Sequence, residues 1–427
     1  MRFININFLK NNFVKNVSVL MTGTLLAQIF SYLLSPFISR LYSANEMADL
    51  GLYTRIVSLI AAISTARFEM AINLPKRNDH AFLIFRLTIK LILYTTFLST
   101  LILFIVSYKL DNNYNNLWLY LLSILSALFV AFISLGSNWA LRLGEFKSIS
   151  FQRILNSVSS NILKLILGIF NLGSFGLILA TTIGYILSSL GFFKRFINSK
   201  KIYYASSSKT RLLVKSYAQF PKVSLPHVII DMTRDLLIAY FISIYFGKFI
   251  FGSYVYATMM LSLPVSIIGQ SIGQVFFQKI SKLYSLNQDI IKPLKLVTRN
   301  LFFLGLIPFG LLFFYGDTMF SFVFGEEWFI AGTYAEVLSI WMFINFILSP
   351  ISNILIVINK QKQNFYLGLL ATFGQLFCVI LLPYFYQSFK LDFILLLWIL
   401  SVSQAIILLL SCFLIFRFTY KLNNVIG

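Results

Sequence analysis

Residues 117–141 read LWLYLLSILSALFVAFISLGSNWAL, a stretch without a charged residue, followed at once by Arg142 and shortly after by Lys147. A helix of about 20 mainly apolar residues spans the hydrocarbon core of a bilayer. This stretch is therefore long enough to cross, and the basic residues at its end mark the side on which it stops, because Lys and Arg collect in cytoplasmic loops. Working outward in both directions, the same pattern recurs. The first six candidate spans are approximately 17–41, 48–73, 81–107, 117–141, 148–171 and 173–193, and the second six approximately 221–246, 251–277, 297–316, 329–357, 364–386 and 392–417. Twelve spans of about 25 residues use roughly 300 positions and leave about ten per connection. No extramembrane catalytic domain fits in what remains.

Composition agrees. Of 427 residues, 58% are hydrophobic and only 11% charged, against about 25% charged in an ordinary soluble domain. A water-soluble globular protein is excluded. The 35 Lys and Arg against 14 Asp and Glu give a formal charge of +21. Those basic residues lie between apolar runs rather than on one hydrophilic face, so nucleic acid is not the expected partner. Cys378 and Cys412 fall inside apolar runs and read as core residues. The basic N-terminal segment (Arg2, Lys10, Lys15) precedes an apolar run too long for a signal-peptide core, which reads as a first transmembrane helix.

The charges test the topology. With the N-terminus inside, 26 basic residues fall on the cytoplasmic side and four, Arg40, Lys109, Lys248 and Lys390, on the other. A missed span would scramble every later loop, so the split supports twelve spans and predicts both termini in the cytoplasm. The longest cytoplasmic connection, 194–222, holds eight basic residues and no acidic one. It divides the chain into an N-terminal six-helix bundle (1–198), a basic cytoplasmic linker (199–220) and a C-terminal six-helix bundle (221–427). An even helix number per half makes the halves parallel repeats. A short echo accompanies them: Phe37-Ile38-Ser39 and Gly51-Leu52-Tyr53 recur as Phe241-Ile242-Ser243 and Gly252-Ser253-Tyr254. The expected fold is an all-α integral membrane protein of twelve transmembrane helices in two parallel six-helix repeats around a central cavity.

Five basic residues remain inside spans: Arg55, Arg67, Lys90, Lys164 and Arg234. Their acidic counterparts are Glu69, Asp231, Asp235 and Glu336. A charge at the bilayer centre costs about 2.5 to 3.5 kcal/mol on insertion scales, so each needs a cavity or a partner. At 100° per residue, Arg55, Ser58, Thr65, Glu69 and Asn73 form one polar stripe. Thr24, Gln28, Ser31, Ser35 and Ser39 form another on the first helix. The seventh helix carries Ser224, His227, Asp231, Arg234 and Asp235 on one face, and the eighth a ladder of Ser266, Gln270, Gln274 and Gln278. Such stripes would line a hydrophilic lumen between the halves. Ser, Thr and Gln also bridge neighbouring membrane helices, and the i, i+3, i+4 spacing of Asp231, Arg234 and Asp235 equally fits an internal ion pair.

Enzyme chemistry is not expected. His80 and His227 have no second His or Cys at metal-ligand spacing, so no metal site is expected. No phosphate-binding glycine loop or other cofactor signature occurs, so transport would draw on an ion gradient or the substrate's own gradient.

Several segments resemble the Wzx-type polysaccharide flippases, a branch of the multidrug/oligosaccharidyl-lipid/polysaccharide exporter superfamily. They are Gly51-Leu52-Tyr53 with Arg67-Phe68-Glu69-Met70-Ala71-Ile72-Asn73-Leu74-Pro75, then Phe220-Pro221 with Leu225-Pro226. Next come Leu263-Pro264 with Ile268-Gly269-Gln270-Ser271-Ile272-Gly273-Gln274-Val275-Phe276, and Phe324-Gly325 with Trp328. The resemblance implies movement of an undecaprenyl-diphosphate-linked oligosaccharide repeat unit to the outer leaflet of a bacterial cytoplasmic membrane, for O-antigen, capsule or exopolysaccharide synthesis. It also implies alternating access coupled to H+ or Na+, and a polymerase and chain-length regulator as partners in one pathway. On that reading Arg55, Lys90, Lys164, Gln28, Gln270 and Gln274 would contact substrate. Glu69, Asp231, Arg234 and Asp235 would carry the coupling ion or gate the path. Two other classes stay open: a multidrug/cation antiporter of the same superfamily, and a membrane-embedded polysaccharide polymerase, for which the outside loop near 108–116 is short.

Overall fold

The computed structural model describes residues 6–109, 117–199, 207–286, 288–358, 360–381 and 392–426, and among them there is helix and no strand. The helices are α1 (Ile6–Ser39), α2 (Ala44–Thr65), the one-turn α3 (Phe68–Ala71), α4 (Asn78–Lys109), α5 (Leu117–Arg142), α6 (Phe146–Ile169), α7 (Gly173–Ser199) and α8 (Ser207–Ser216). A π-helical turn, Phe220–Ser224, leads into α9 (Leu225–Phe246). Then follow α10 (Lys248–Ser285), α11 (Ile291–Phe324), α12 (Phe329–Ile351), the short α13 (Ile354–Val357), α14 (Gln361–Leu376) and α15 (Phe393–Ile426).

Setting aside the short α3, α8 and α13, twelve described helices coincide with the twelve expected spans. Eight of them are long and apolar enough to cross a membrane on length and composition alone. The chain is a multi-pass, all-helical membrane protein. Neither α6, which carries Lys147, Arg153 and Lys164, nor α9, which carries Asp231, Arg234 and Asp235, is among the eight. The other two outside the eight are α1 and the 16-residue α14, whereas α2 and α4 qualify although they carry Arg55 and Lys90.

Two compact units emerge, one of residues 1–42 with 49–236 and one of 43–48 with 237–427. In the first, α4 packs on α5, α5 on α7, and α6 on both α7 and α1. In the second, α11 packs on α12, α12 on α15, and α14 on α15. Counting membrane helices within each half, the third meets the fourth, the fourth meets the sixth and the fifth meets the sixth in both. Those three pairings recur, while the packing of α1 on α6 in the first unit and of α10 on α12 in the second is particular to each.

Close approach at small residues sets the packing, since lipid offers no hydrophobic drive between helices. In the second unit a methyl group on Gly252 of α10 would collide with the Ala44 carbonyl, and one on Gly332 of α12 with the Gly316 carbonyl of α11. Gly269 and Gly273, four apart on α10, face Ser349 Oγ and Pro350 Cα of α12, at 3.0 and 3.3 Å from their added methyl positions. Below them Ile280, Leu294, Ile351, Ile354 and Ile415 close a buried core. The first turn of α2 is capped from two places. Glu46 Oε2 accepts from Ser43 N at 2.7 Å, half of a capping box, and Glu327 Oε1 accepts from Ala44 N at 3.1 Å.

Candidate functional site

The sequence reads one polar stripe running through residues 48–73. The structure breaks it. Helix α2 ends at Thr65, and Ala66 and Arg67 both adopt left-handed backbone conformations, with φ of 46° and 61°. Non-glycine residues in that region carry strain of order 1–3 kcal/mol each, which persists only where the surroundings fix it. After this reversal α3 begins, so Arg55 and Ser58 stay on α2 whereas Glu69 and Asn73 belong to a separate turn.

What fixes the turn is legible in its bonds. Arg67 Nη1 pairs with Glu69 Oε1 at 3.3 Å, and Glu69 is 3% exposed. Its other oxygen, Oε2, has no hydrogen-bond partner among the described residues. The following segment is clamped by Arg142 at the end of α5. Its Nη1 donates to Ile72 O at 2.8 Å, its Nη2 to Pro75 O at 2.7 Å, and its Nε to Asn78 Oδ1 at 3.1 Å. Asn73 Nδ2 adds a bond to Asn138 Oδ1 at 3.2 Å. Sequence reasoning took Arg142 as a topology marker and missed this role. A planar fork that satisfies two carbonyls and an amide at once is a task suited to arginine, but carbonyl partners leave no trace in the sequence.

The α3 turn packs against the π-helical turn Phe220–Ser224. Pro221 opens that turn and Pro226 follows at the start of α9; neither ring nitrogen donates, so the local ladder is short of donors and takes the wider helix. Above it on α9 stand four ionisable side chains. Arg234 joins Asp231 at 3.5 Å and Asp235 at 3.0 Å, and His227 Nδ1 lies 4.0 Å from Asp231 Oδ2. Asp231 and Asp235 keep 39% and 44% of their side-chain surface exposed, whereas Arg234 keeps 21%. The Arg therefore sits deeper and the carboxylates reach outward. The first unit thus brings together Glu69 and the base of the helix that bears Asp231, Arg234 and Asp235, two segments some 150 residues apart.

The remaining positions are more dispersed. Arg55 Nη1 donates to Gly51 O one turn back at 2.9 Å. Lys90 is exposed on α4, and Lys164 is half-buried on α6, where its carbonyl accepts from Tyr42 Oη at 2.8 Å. The α1 stripe is engaged largely by α6. Ser31 and Ser157 share a 2.8 Å hydrogen bond, Asn161 Nδ2 donates to Ser31 Oγ at 2.9 Å, and Arg153 Nη1 donates to Thr24 Oγ1 at 2.5 Å. Gln28 lies half-buried within that seam. Ser266, beside Pro264 on α10, bonds back to Leu263 O at 2.9 Å. Gln270 and Gln274 lie on the same helix, and their side chains fall outside the described residues. Glu336 caps a kink: Tyr315 leaves helical geometry (φ −139°, ψ 22°), and Glu336 Oε1 accepts the Asp317 N–H behind it at 3.1 Å. Among the described residues no three His, Cys, Asp or Glu side chains cluster as metal ligands would.

The model of a family described as "Polysaccharide biosynthesis protein" matches residues 37–331. No curated protein sequence matches the chain. Among solved structures, an inward-facing multidrug-resistance MATE transporter of the MOP superfamily aligns over 96% of this chain and 99% of its own, at 12% identity and TM-score 0.65. The lipid II flippase MurJ, in an inward closed conformation, aligns over 95% of this chain and 89% of its own, at 16% identity and TM-score 0.65. A MOP-superfamily transporter from Pyrococcus furiosus, described as having a binding pocket of reverse polarity, aligns over 95% and 93%, at 13% identity and TM-score 0.56. At these identities the likeness is one of fold, and the fold is that of membrane transporters.

Proposed function

We propose that this chain, which belongs to the polysaccharide biosynthesis protein family, is a flippase that carries an undecaprenyl-diphosphate-linked oligosaccharide repeat unit from the inner to the outer leaflet of a bacterial cytoplasmic membrane. The observation that carries the reading is the coincidence of that family with a fold shared along nearly the whole chain by a lipid II flippase. The physics requires such a protein. A diphosphate and a hydrophilic glycan cannot cross about 30 Å of hydrocarbon unaided, whereas the prenyl tail can remain in lipid throughout.

Within this reading, Arg55, Lys90 and Lys164 supply positive potential to the diphosphate, and Gln28, Gln270 and Gln274 supply neutral hydrogen bonds to sugar hydroxyls. Asp231 and Asp235 carry the coupling H+ or Na+, Arg234 holds their geometry, and Glu69 acts as the gating carboxylate at the α2–α3 break. Support comes from the exposure of the two aspartates beside a more buried arginine, which leaves carboxylate oxygens accessible to a cation. Both termini lie in the cytoplasm, where the basic loops collect.

The test is genetic. Deleting the gene in its native host is expected to abolish surface glycan and to leave lipid-linked repeat units accumulating, and Asp231→Asn or Asp235→Asn at normal protein level is expected to do the same. Full surface glycan in the deletion would overturn the reading. Since MATE transporters share the fold, ethidium efflux is measured in parallel; efflux lost on deletion with glycan intact assigns the chain to cation export instead.

A further inference from the structure

The ends of four helices border an open pocket of about 560 Å³ lined by residues of the second unit, at the end of α9 and the starts of α10, α12 and α15. Its wall is aromatic. Phe393 stands at the centre, with its ring centroid 4.9 Å from that of Phe246 and 5.0 Å from that of Tyr334, the latter edge-on. Phe393 and Tyr334 are buried and held in place by these contacts, whereas Phe329 stands at the mouth, 47% exposed. Asp392 is exposed beside them, and its Oδ1 takes a long 3.4 Å bond from Ile394 N. Thr333 adds a hydroxyl. Among the described lining residues there is no Lys or Arg.

We propose that this pocket binds a sugar ring of the glycan carried by the lipid-linked substrate. The chemistry selects the ligand. The exposed ring of Phe329, with the half-buried Tyr245 and Phe246 beside it, offers an aromatic face of partial negative charge to the polarised C–H face of a pyranose, while the carboxylate of Asp392 at the edge accepts hydroxyl protons; the buried Phe393 and Tyr334 form the floor. The size falls within that of small-molecule sites, mostly apolar with a few placed polar groups. Among the described lining residues the one charge is negative, which favours a neutral sugar over a diphosphate. An acyl chain would make no use of Asp392. The charge asymmetry of the loops puts these helix ends on the side opposite the cytoplasm, so the pocket meets the glycan where it emerges. The glycan's identity as cargo rests on the flippase reading; the pocket's affinity for a sugar does not.

Saturation-transfer NMR on the purified full-length protein in lipid nanodiscs tests this, with methyl glycosides of glucose, galactose, N-acetylglucosamine and rhamnose as probes and tetraethylammonium as the competing chemistry. Transfer to the ring C–H protons of at least one glycoside is expected. Asp392→Asn is expected to weaken it by about ten-fold, as loss of a charge-assisted hydrogen bond implies, and Phe329→Ala, an exposed position, to weaken it without lowering the thermal midpoint. Transfer to no glycoside, transfer unchanged in both variants, or binding of tetraethylammonium alone overturns the proposal. Because no transport is measured, a pocket that binds glycosides in a chain whose deletion leaves surface glycan intact would refute only the flippase reading, and the converse only the pocket.

Discussion

Tyr53 is fully buried, and its hydroxyl donates to Ser126 Oγ at 2.6 Å and lies 3.0 Å from Thr182 Oγ1, while Ser126 and Thr182 are themselves 3.0 Å apart. Three hydroxyls from α2, α5 and α7 thus satisfy one another where no water reaches. In Tyr53→Phe the two smaller hydroxyls keep their mutual bond, so the expected loss is about 1 kcal/mol, the lower part of the range for a buried hydrogen bond, seen as a modestly lower thermal midpoint of the purified protein. Arg142→Lys should do more local damage. One ammonium cannot reproduce a fork that holds Ile72, Pro75 and Asn78 together, and faster hydrogen exchange confined to residues 72–78 is the expected readout. At this scale the sequence is legible wherever a charge stands in an apolar span, as with Arg55, Glu69 and Asp231. It is illegible where a side chain serves backbone carbonyls, or where Ala66 and Arg67 take left-handed geometry without a glycine or asparagine to announce it.

Between elements, glycine positions divide sharply. Gly252 and Gly332 touch neighbouring backbone, whereas Gly310 and Gly368 have nothing within 4 Å of an added methyl. Gly252→Ala must push α10 away from Ala44, and strain of about 1–3 kcal/mol is expected, the range for overpacking a close contact. Gly310→Ala, inside α11, should be neutral or stabilise by up to about 1 kcal/mol through helix propensity. Thermal unfolding of the two variants side by side checks both signs, and equal effects would mean the crossing is not tight. Polar stripes were readable from period alone, but their partners were not. Periodicity shows which residues share a face and never what that face meets, so the α1 stripe that reads as lumen is engaged chiefly by Ser157, Asn161 and Arg153 of α6. The break after Thr65 likewise escaped, because hydropathy continues smoothly across it.

For the whole molecule, the twelve-helix plan was legible because two independent signals agree: apolar length, and the 26 to four division of basic residues. That asymmetry makes a prediction. A reporter fused after residue 222 should be active only in the cytoplasm and one fused near residue 247 only outside, and any inversion would reject the topology. Relations between distant segments, such as α3 against the turn at Phe220, depend on tertiary contact and carry no sequence-local mark.

The polar seam of α6 reaches beyond packing to the way the chain is made. A helix with Lys147, Arg153 and Lys164 is a poor client for insertion on its own. Its hydrogen-bonding partner α1 left the ribosome more than a hundred residues earlier. The seam predicts that α6 needs α1 to insert: an α6 segment expressed alone should insert poorly in a membrane-insertion reporter, and insertion as efficient as that of α5 would reject the idea. A defect in α1 would then surface late in synthesis, as a chain misthreaded from its fifth crossing onward.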